Sequence, residues 1–227
     1  MFEFYTNRFK FKPKFDSAYL NAKASYLNRI RFAVSLFYFA MGLCFASWAS
    51  RIPDVKTALN LNEAQLGSIL FAVPIGQLAI MPISGKMVTR FGSKSILLVA
   101  MALYIISLLA LGLSQGAWQL SVALFFFGVS GNLSNIAVNT QGVDVEALFK
   151  KAIMSSFHGA WSIAGFTGAI IGLGMLALEL TPIQHFSIVT VLVIGLVVYA
   201  TPYLIKAKEK VRKEKQKFFS KPDATLI

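Results

Sequence analysis

Six residues, Gly128, Asn132, Asn135, Asn139, Gly142 and Glu146, follow a 4,3,4,3,4 spacing and so share one face of a helix. The three carboxamides among them offer donors and acceptors together, which suits a hydroxyl-rich or otherwise polar neutral ligand. Their surroundings are oily ("LFFFGVSGNLSNIAVN"). In hydrocarbon an unpaired polar group costs several kcal/mol, so these side chains must face a cavity or a neighbouring helix. Two readings stay open for Asn132 and Asn135: contact with a bound solute, or hydrogen bonding between helices. Asn139 continues the same row, and Glu146 falls where lipid headgroups are expected.

Other polar and aromatic groups lie in similar runs. Tyr38, Phe45 and Trp48 offer ring faces that either stack on a solute or pack the protein. Gln77, beside Pro74 and Gly76, either lines a cavity or satisfies backbone freed by the proline. His158, Ser162, Gly165, Ala169 and Gly172 share a helical face, and Gly168 with Gly172 makes a GxxxG pair suited to close helix packing. His158 is the candidate proton relay, being titratable near neutral pH, against a structural or interfacial histidine. An enzyme reading rests on Ser130 in "GVSG" with His185, as in intramembrane serine proteases. It fails on depth: Ser130 lies twelve residues into its run and His185 about two, roughly 15 Å apart along the helices, whereas a nucleophile and its base must touch. The single cysteine, Cys44, allows no intramolecular disulfide and no cysteine metal cluster. No metal-ligand spacing or phosphate-cradling loop is present, so no cofactor is implied.

Such residues need elements that hold them in oil. The chain has 227 residues, 56% of them apolar and only 14% charged, with mean hydropathy +0.63. Too little polar residue remains to clothe a soluble domain. Six apolar runs are long enough to span a bilayer core of about 30 Å: Phe32 to Arg51, Ala64 to Ser84, Ser95 to Ser114, Trp118 to Asn139, Ile153 to Leu178, and Ile183 to Ile205. The fold class is therefore an all-α polytopic membrane protein. Net charge is +12, and of 22 lysines and arginines all but Arg51 and Lys56 fall in the leader, the second and fourth connections and the tail. Lysine and arginine mark the cytoplasmic side, which puts both termini inside. Placed so, the cations are expected to meet anionic lipid headgroups and not nucleic acid. Residues 1–30 read as a basic aromatic leader, 31–205 as the six-span body and 206–227 as a basic solvated tail.

The second connection, "SGKMVTRFGSKS" (Ser84 to Ser95), resembles the loop between helices 2 and 3 of major facilitator superfamily transporters, whose pattern is roughly G-x-L-A-D-R-x-G-R-K. Gly85, Met87, Val88, Arg90, Gly92 and Lys94 match it; Thr89 replaces the usual acid and Ser93 a usual cation. "FASWASRIPDV", "NIAVNTQGVDVE" and "MSSFHGAWSIAGFTGA" are similar to bacterial, sugar-transporter-like members of a loosely fucose-permease-like group. The resemblance implies a bundle of two inverted three-helix repeats, of which a full member has two, with solute held between bundles near mid-membrane. It implies the bacterial inner membrane and secondary transport of a small polar solute, a sugar being one option, by alternating access. It makes Tyr38, Trp48, Gln77, Asn132, Asn135 and Asn139 the cavity-lining candidates. This chain then corresponds to the N-terminal half, ending at the approach to a seventh span, and its partner is a second six-helix half or a second copy. The competing expectation is a truncated or non-transporting membrane subunit. Phe127 stands where the family's helix 4 carries an arginine, and no Asp, Glu, Lys or Arg lies in the middle of a span, so coupling groups are expected elsewhere or not at all.

Overall fold

The computed structural model describes residues 17–206, with side chains from 24 onward. The expectations for the first sixteen residues of the leader and for the tail from residue 207 lie outside that range. Eight α-helices follow in order: α1 (Ser17–Ser50), α2 (Ile52–Ala58), α3 (Glu63–Leu70), α4 (Ala72–Phe91), α5 (Ser93–Gly112), α6 (Ala117–Phe149), α7 (Met154–Ala177) and α8 (Pro182–Ala200), closed by a 3₁₀ turn at Thr201–Tyr203. Six stretches among them are long and apolar enough to cross a membrane, with α3 and α4 forming one.

Local chemistry sets the helix boundaries. Asn62 accepts from the Gln65 backbone N–H at 2.8 Å while the Gln65 side chain accepts from the Asn62 N–H at 2.9 Å, a reciprocal cap that starts α3. Thr181 and Gln184 start α8 in the same manner, with Pro182 just inside. The second span breaks at Phe71. Pro74 has no N–H to give the Leu70 carbonyl four residues earlier, so the helix is interrupted one turn before the ring.

Packing joins helices that are distant in sequence. The largest interfaces are α1 with α7, α5 with α6, α4 with α6, and α1 with α8. Thus the first span lies on the fifth and sixth, and the fourth lies on the second and third. Each set of three spans lends its first helix to the other set, which is the arrangement of two related repeats with exchanged leading helices. The close approaches repeat the relation. A Cβ at Gly76 would strike the Phe125 carbonyl and one at Gly128 the Val73 carbonyl, joining α4 to α6. A Cβ at Gly168 would lie 2.6 Å from that of Ala46, and one at Gly172 2.6 Å from that of Ser50, joining α1 to α7. Between apolar helices in lipid there is little hydrophobic drive, so contact of this closeness is what dispersion forces can use.

Two expectations about ends are corrected. The fourth span does not stop at Asn139 but runs as helix to Phe149, because Gln141 and Val145 are buried and keep packing past the apolar stretch. The turn read over Ser84 to Ser95 is almost wholly helix: α4 continues to Phe91, α5 begins at Ser93, and Gly92 alone, at φ 85° and ψ 142°, reverses the chain. Only glycine adopts that backbone freely. Gly85 is helical and a Cβ there would meet nothing within 4 Å, so the turn does not require it.

Candidate functional site

The face shared by α1, α6 and α7 brings several of the candidate residues together. Tyr38 on α1 donates its hydroxyl to Asn139 Oδ1 on α6 at 2.5 Å. Asn139 Nδ2 in turn donates to Asn135 Oδ1 at 3.0 Å. On the other flank the Tyr38 ring stacks on Phe157 at 5.6 Å and meets the His158 ring edge-on at 5.4 Å, both from α7. Tyr38 is only 2% exposed, yet Asn135 and His158 are open. The buried phenol is thus the tie between helices, and the two exposed groups look out from it.

Phe45 lies two turns further along α1, on the same face as Tyr38 and about 10 Å away along the axis. It meets Trp161 of α7 with ring centroids 6.2 Å apart, and each is 41% exposed. Going from His158 to Trp161, from Asn139 to Asn135 and from Tyr38 to Phe45 moves the same way along the bundle, away from the Gly92 turn. One face of the bundle thus carries the Tyr38–Asn139–Asn135 chain with His158 beside it and, further from the Gly92 turn, the half-exposed Phe45–Trp161 pair. Trp161 was not among the sequence candidates. Only contact between α1 and α7, which are far apart in the chain, reveals it.

The spaced row on α6 divides into three parts. At one end Gly128 lies against Val73, and Asn132 Oδ1 accepts from Ser84 Oγ at 3.3 Å, so α4 covers that third. At the other end a Cβ at Gly142 would touch Met154 and Phe157, and Glu146 accepts from the Ile153 and Met154 N–H groups at 2.7 and 2.9 Å, capping α7 with a carboxylate. Asn135 and Asn139 lie between: Asn139 is half-buried and tied to Tyr38 of α1, and Asn135 is exposed. Gln77 is exposed on α4. Trp48, like Tyr38, is buried in the bundle, at 3% exposure. In the basic turn, the Arg90 guanidinium sits 5.2 Å from the centre of the Phe91 ring, and Lys94 Nζ donates to the Thr201 carbonyl at 2.7 Å. Thr89, in the acid's place, donates to Lys86 O. Phe127, in the arginine's place, stacks on Tyr104 at 4.2 Å.

Ser130 and His185 are each engaged elsewhere. Ser130 donates to the Phe126 carbonyl of its own helix at 2.6 Å. His185 Nδ1 accepts from Arg51 Nε at 3.1 Å. Arg51, 2% exposed, also pairs with Asp54 at 2.7 Å and donates to Leu180 O at 3.0 Å. This cation, read in sequence as an ordinary connection residue, therefore locks the end of α1 to the start of α8. Gln141 does similar work at the opposite end, giving and taking both backbone hydrogen bonds of Ile205 at 2.8 and 2.9 Å while bonding Ser93 Oγ.

Comparison with known proteins bears on this geometry. The profile of the Major Facilitator Superfamily matches residues 32–225. An uncharacterized MFS-type transporter of Yersinia pestis is 33% identical over 171 residues, 75% of this chain and 44% of that protein. An uncharacterized transporter of Sinorhizobium fredii is 31% identical over 154 residues, 68% of this chain and 41% of that protein. Multidrug resistance protein 2 of Bacillus subtilis is 30% identical over 128 residues, 54% of this chain and 30% of that protein. The chain spans less than half the length of these relatives.

Proposed function

Since this chain belongs to the major facilitator superfamily, we propose that it acts as one six-span half of a secondary transporter for a small polar solute, a sugar-like compound fitting best. The observation that carries the reading is the α1–α6–α7 face, on which Asn135 and His158 are exposed and Phe45 and Trp161 pair. A carboxamide and ring faces together can hold a solute by hydrogen bonds and stacking. The face is also unfinished. Only 11% of the apolar window of the second span and 17% of that of α7 is buried, against 61% for α1. Met81 and Phe166 stand exposed on these two spans. A second six-helix body, either a separate half or a second copy, would cover this face and make with it a cavity reached alternately from each side.

In this reading the Gly92 turn and the basic connections face the cytoplasm of a bacterial inner membrane, against anionic headgroups. A second reading, export of lipophilic cations, draws on the similarity to the Bacillus subtilis multidrug resistance protein and on the affinity of aromatic faces for cations. The test is uptake into proteoliposomes holding the chain, across a panel of neutral sugars, sugar acids and lipophilic cations, with and without a co-reconstituted six-span partner. Saturable uptake of neutral sugars is expected in an assembly containing two halves. No uptake of any solute in any assembly would leave a non-transporting membrane subunit as the answer.

A further inference from the structure

We propose that a groove between α5 and α6 is a fixed lipid site. It holds one acyl chain of a phospholipid from the leaflet on the side of the α5–α6 connection, and Trp118 and Gln119 at its mouth donate to the ester and phosphate oxygens of that lipid. The inference rests on this groove and on the six membrane spans, not on the transport reading.

The groove has a volume of about 640 Å³. Its apolar walls include Leu103, Ile106 and Ala110 of α5 and Val122, Phe126 and Val129 of α6. Its mouth lies at the connection between the helices, where Ser114, Trp118 and Gln119 line it. Its deepest lining residues are Leu103, nine residues before the end of α5, and Ser130, thirteen residues after the start of α6. At 1.5 Å per residue these lie roughly 14 and 20 Å below the connection. One leaflet contributes about half of the roughly 30 Å hydrocarbon core. The groove is therefore about as deep as one leaflet.

Its hydrogen-bonding groups sort by depth. Below the mouth, Ser107 donates to the Leu103 carbonyl at 2.8 Å and Ser130 to the Phe126 carbonyl at 2.6 Å. Both hydroxyl protons are thus used within their own helices. A polar solute would meet no donor there, whereas a hydrocarbon tail leaves none unpaired. At the mouth, Gln119 Oε1 accepts from the Gln115 N–H at 2.7 Å. That leaves the Gln119 NH₂ group and the indole N–H of exposed Trp118 for an acceptor oxygen. Tryptophan at a span end stands at headgroup level, where lipid ester and phosphate oxygens lie. No lysine or arginine occurs from Leu113 to Gln119, so neutral donors hold the headgroup and zwitterionic lipid serves.

Size decides between a chain and a helix as occupant. A helix about 10 Å wide and 15 Å long fills roughly 1,200 Å³, nearly twice the groove. A second copy could lie over this groove but not in it. A thin flexible chain enters, and side chains on both walls then give it dispersion contacts that a flat helix face gives on one side only.

The test uses the full chain in vesicles of dioleoylphosphatidylcholine containing a small fraction of a phosphatidylcholine with a diazirine on one acyl chain. Photolabelling is mapped by peptide mass spectrometry. Ile106, Val122 and Phe126 should be labelled about 10-fold more than Val191 and Val198, which are exposed on α8 outside the groove. Ala110→Phe and Val122→Phe fill the groove and should bring its labelling down to the α8 level, while Val191→Phe should leave it unchanged. Native mass spectrometry of the detergent-solubilised chain should find one phospholipid retained, and Gln119→Leu should lower that retention roughly 2- to 12-fold. Groove labelling within twofold of that on α8 overturns the proposal, and this comparison needs only the wild-type chain if the filled variants fail to fold. Equal labelling by a diazirine-bearing alkane without a headgroup also overturns it. So does groove labelling that falls as the protein-to-lipid ratio rises, which would show a second copy covering the groove.

Discussion

At the scale of single residues, three asparagines on one helical face have different work. Asn132 is tied to Ser84 of α4, whereas Asn135 is exposed beside the Tyr38–Asn139 bond. The sequence left solute contact and helix-to-helix bonding as equal readings for both, because a 4,3 spacing states which residues share a face and not which neighbour covers each turn of it. Removing one hydrogen bond is worth about 0.5–1.5 kcal/mol, or roughly 2- to 12-fold in affinity. Asn135→Ala should therefore raise the half-saturating solute concentration by that factor, with only a small loss of thermal stability in detergent from the Asn139 Nδ2 bond given up. Asn132→Ala should do the reverse, lowering the melting temperature and leaving the half-saturating concentration alone. Initial-rate uptake and thermal unfolding, measured on both variants, check the pair; equal kinetic defects would mean that α4 moves away from Asn132 during the cycle. Arg51 shows the opposite limit of legibility. Nothing in "SRIPD" indicates that its guanidinium would be buried, since His185 and Leu180, which receive its hydrogen bonds, lie more than a hundred residues onward.

At the scale of elements, the six spans were legible because length and lack of charge suffice to identify them. Their ends were not. The helix of α6 runs ten residues past the predicted limit through polar sequence that tertiary burial holds in place, and the second span is broken by Pro74. The turn motif gives a sharper contrast. Two glycines, Gly85 and Gly92, look equivalent in "SGKMVTRFGSKS", and only Gly92 has a positive φ. Placing a side chain in that backbone region costs on the order of 1–3 kcal/mol, while glycine inside a helix is about 0.5–1 kcal/mol worse than alanine. Gly92→Ala should destabilise the bundle by about the first amount, and Gly85→Ala should be neutral or stabilise it by up to the second. Thermal unfolding of the two variants distinguishes them. A loss at Gly85 as large as at Gly92 would require Gly85 to touch something outside these helices, such as a second bundle.

At the scale of the whole molecule, the exchange of leading helices between the two sets of three spans places α1 and α6 together. Asn135, His158, Phe45 and Trp161 are exposed on α6, α7 and α1, and the second span and α7 are poorly buried. Exposed apolar side chains on this face can rest against lipid, but its hydrogen-bonding groups are costly in hydrocarbon. In the proposed reading a second body covers them. If that body is another copy of this chain, pairing obeys mass action in the plane of the membrane. Uptake per chain should then fall as the protein is diluted with lipid, towards a tenfold loss for each tenfold dilution once pairs are scarce. Joining two copies by a flexible linker that can span the distance should remove the dependence, since the partner is then always at high effective concentration. Uptake from proteoliposomes at a series of protein-to-lipid ratios measures this directly. A rate per chain that stays constant on dilution, without the linker and without a separate half supplied, would show that a single six-span bundle completes its own cavity.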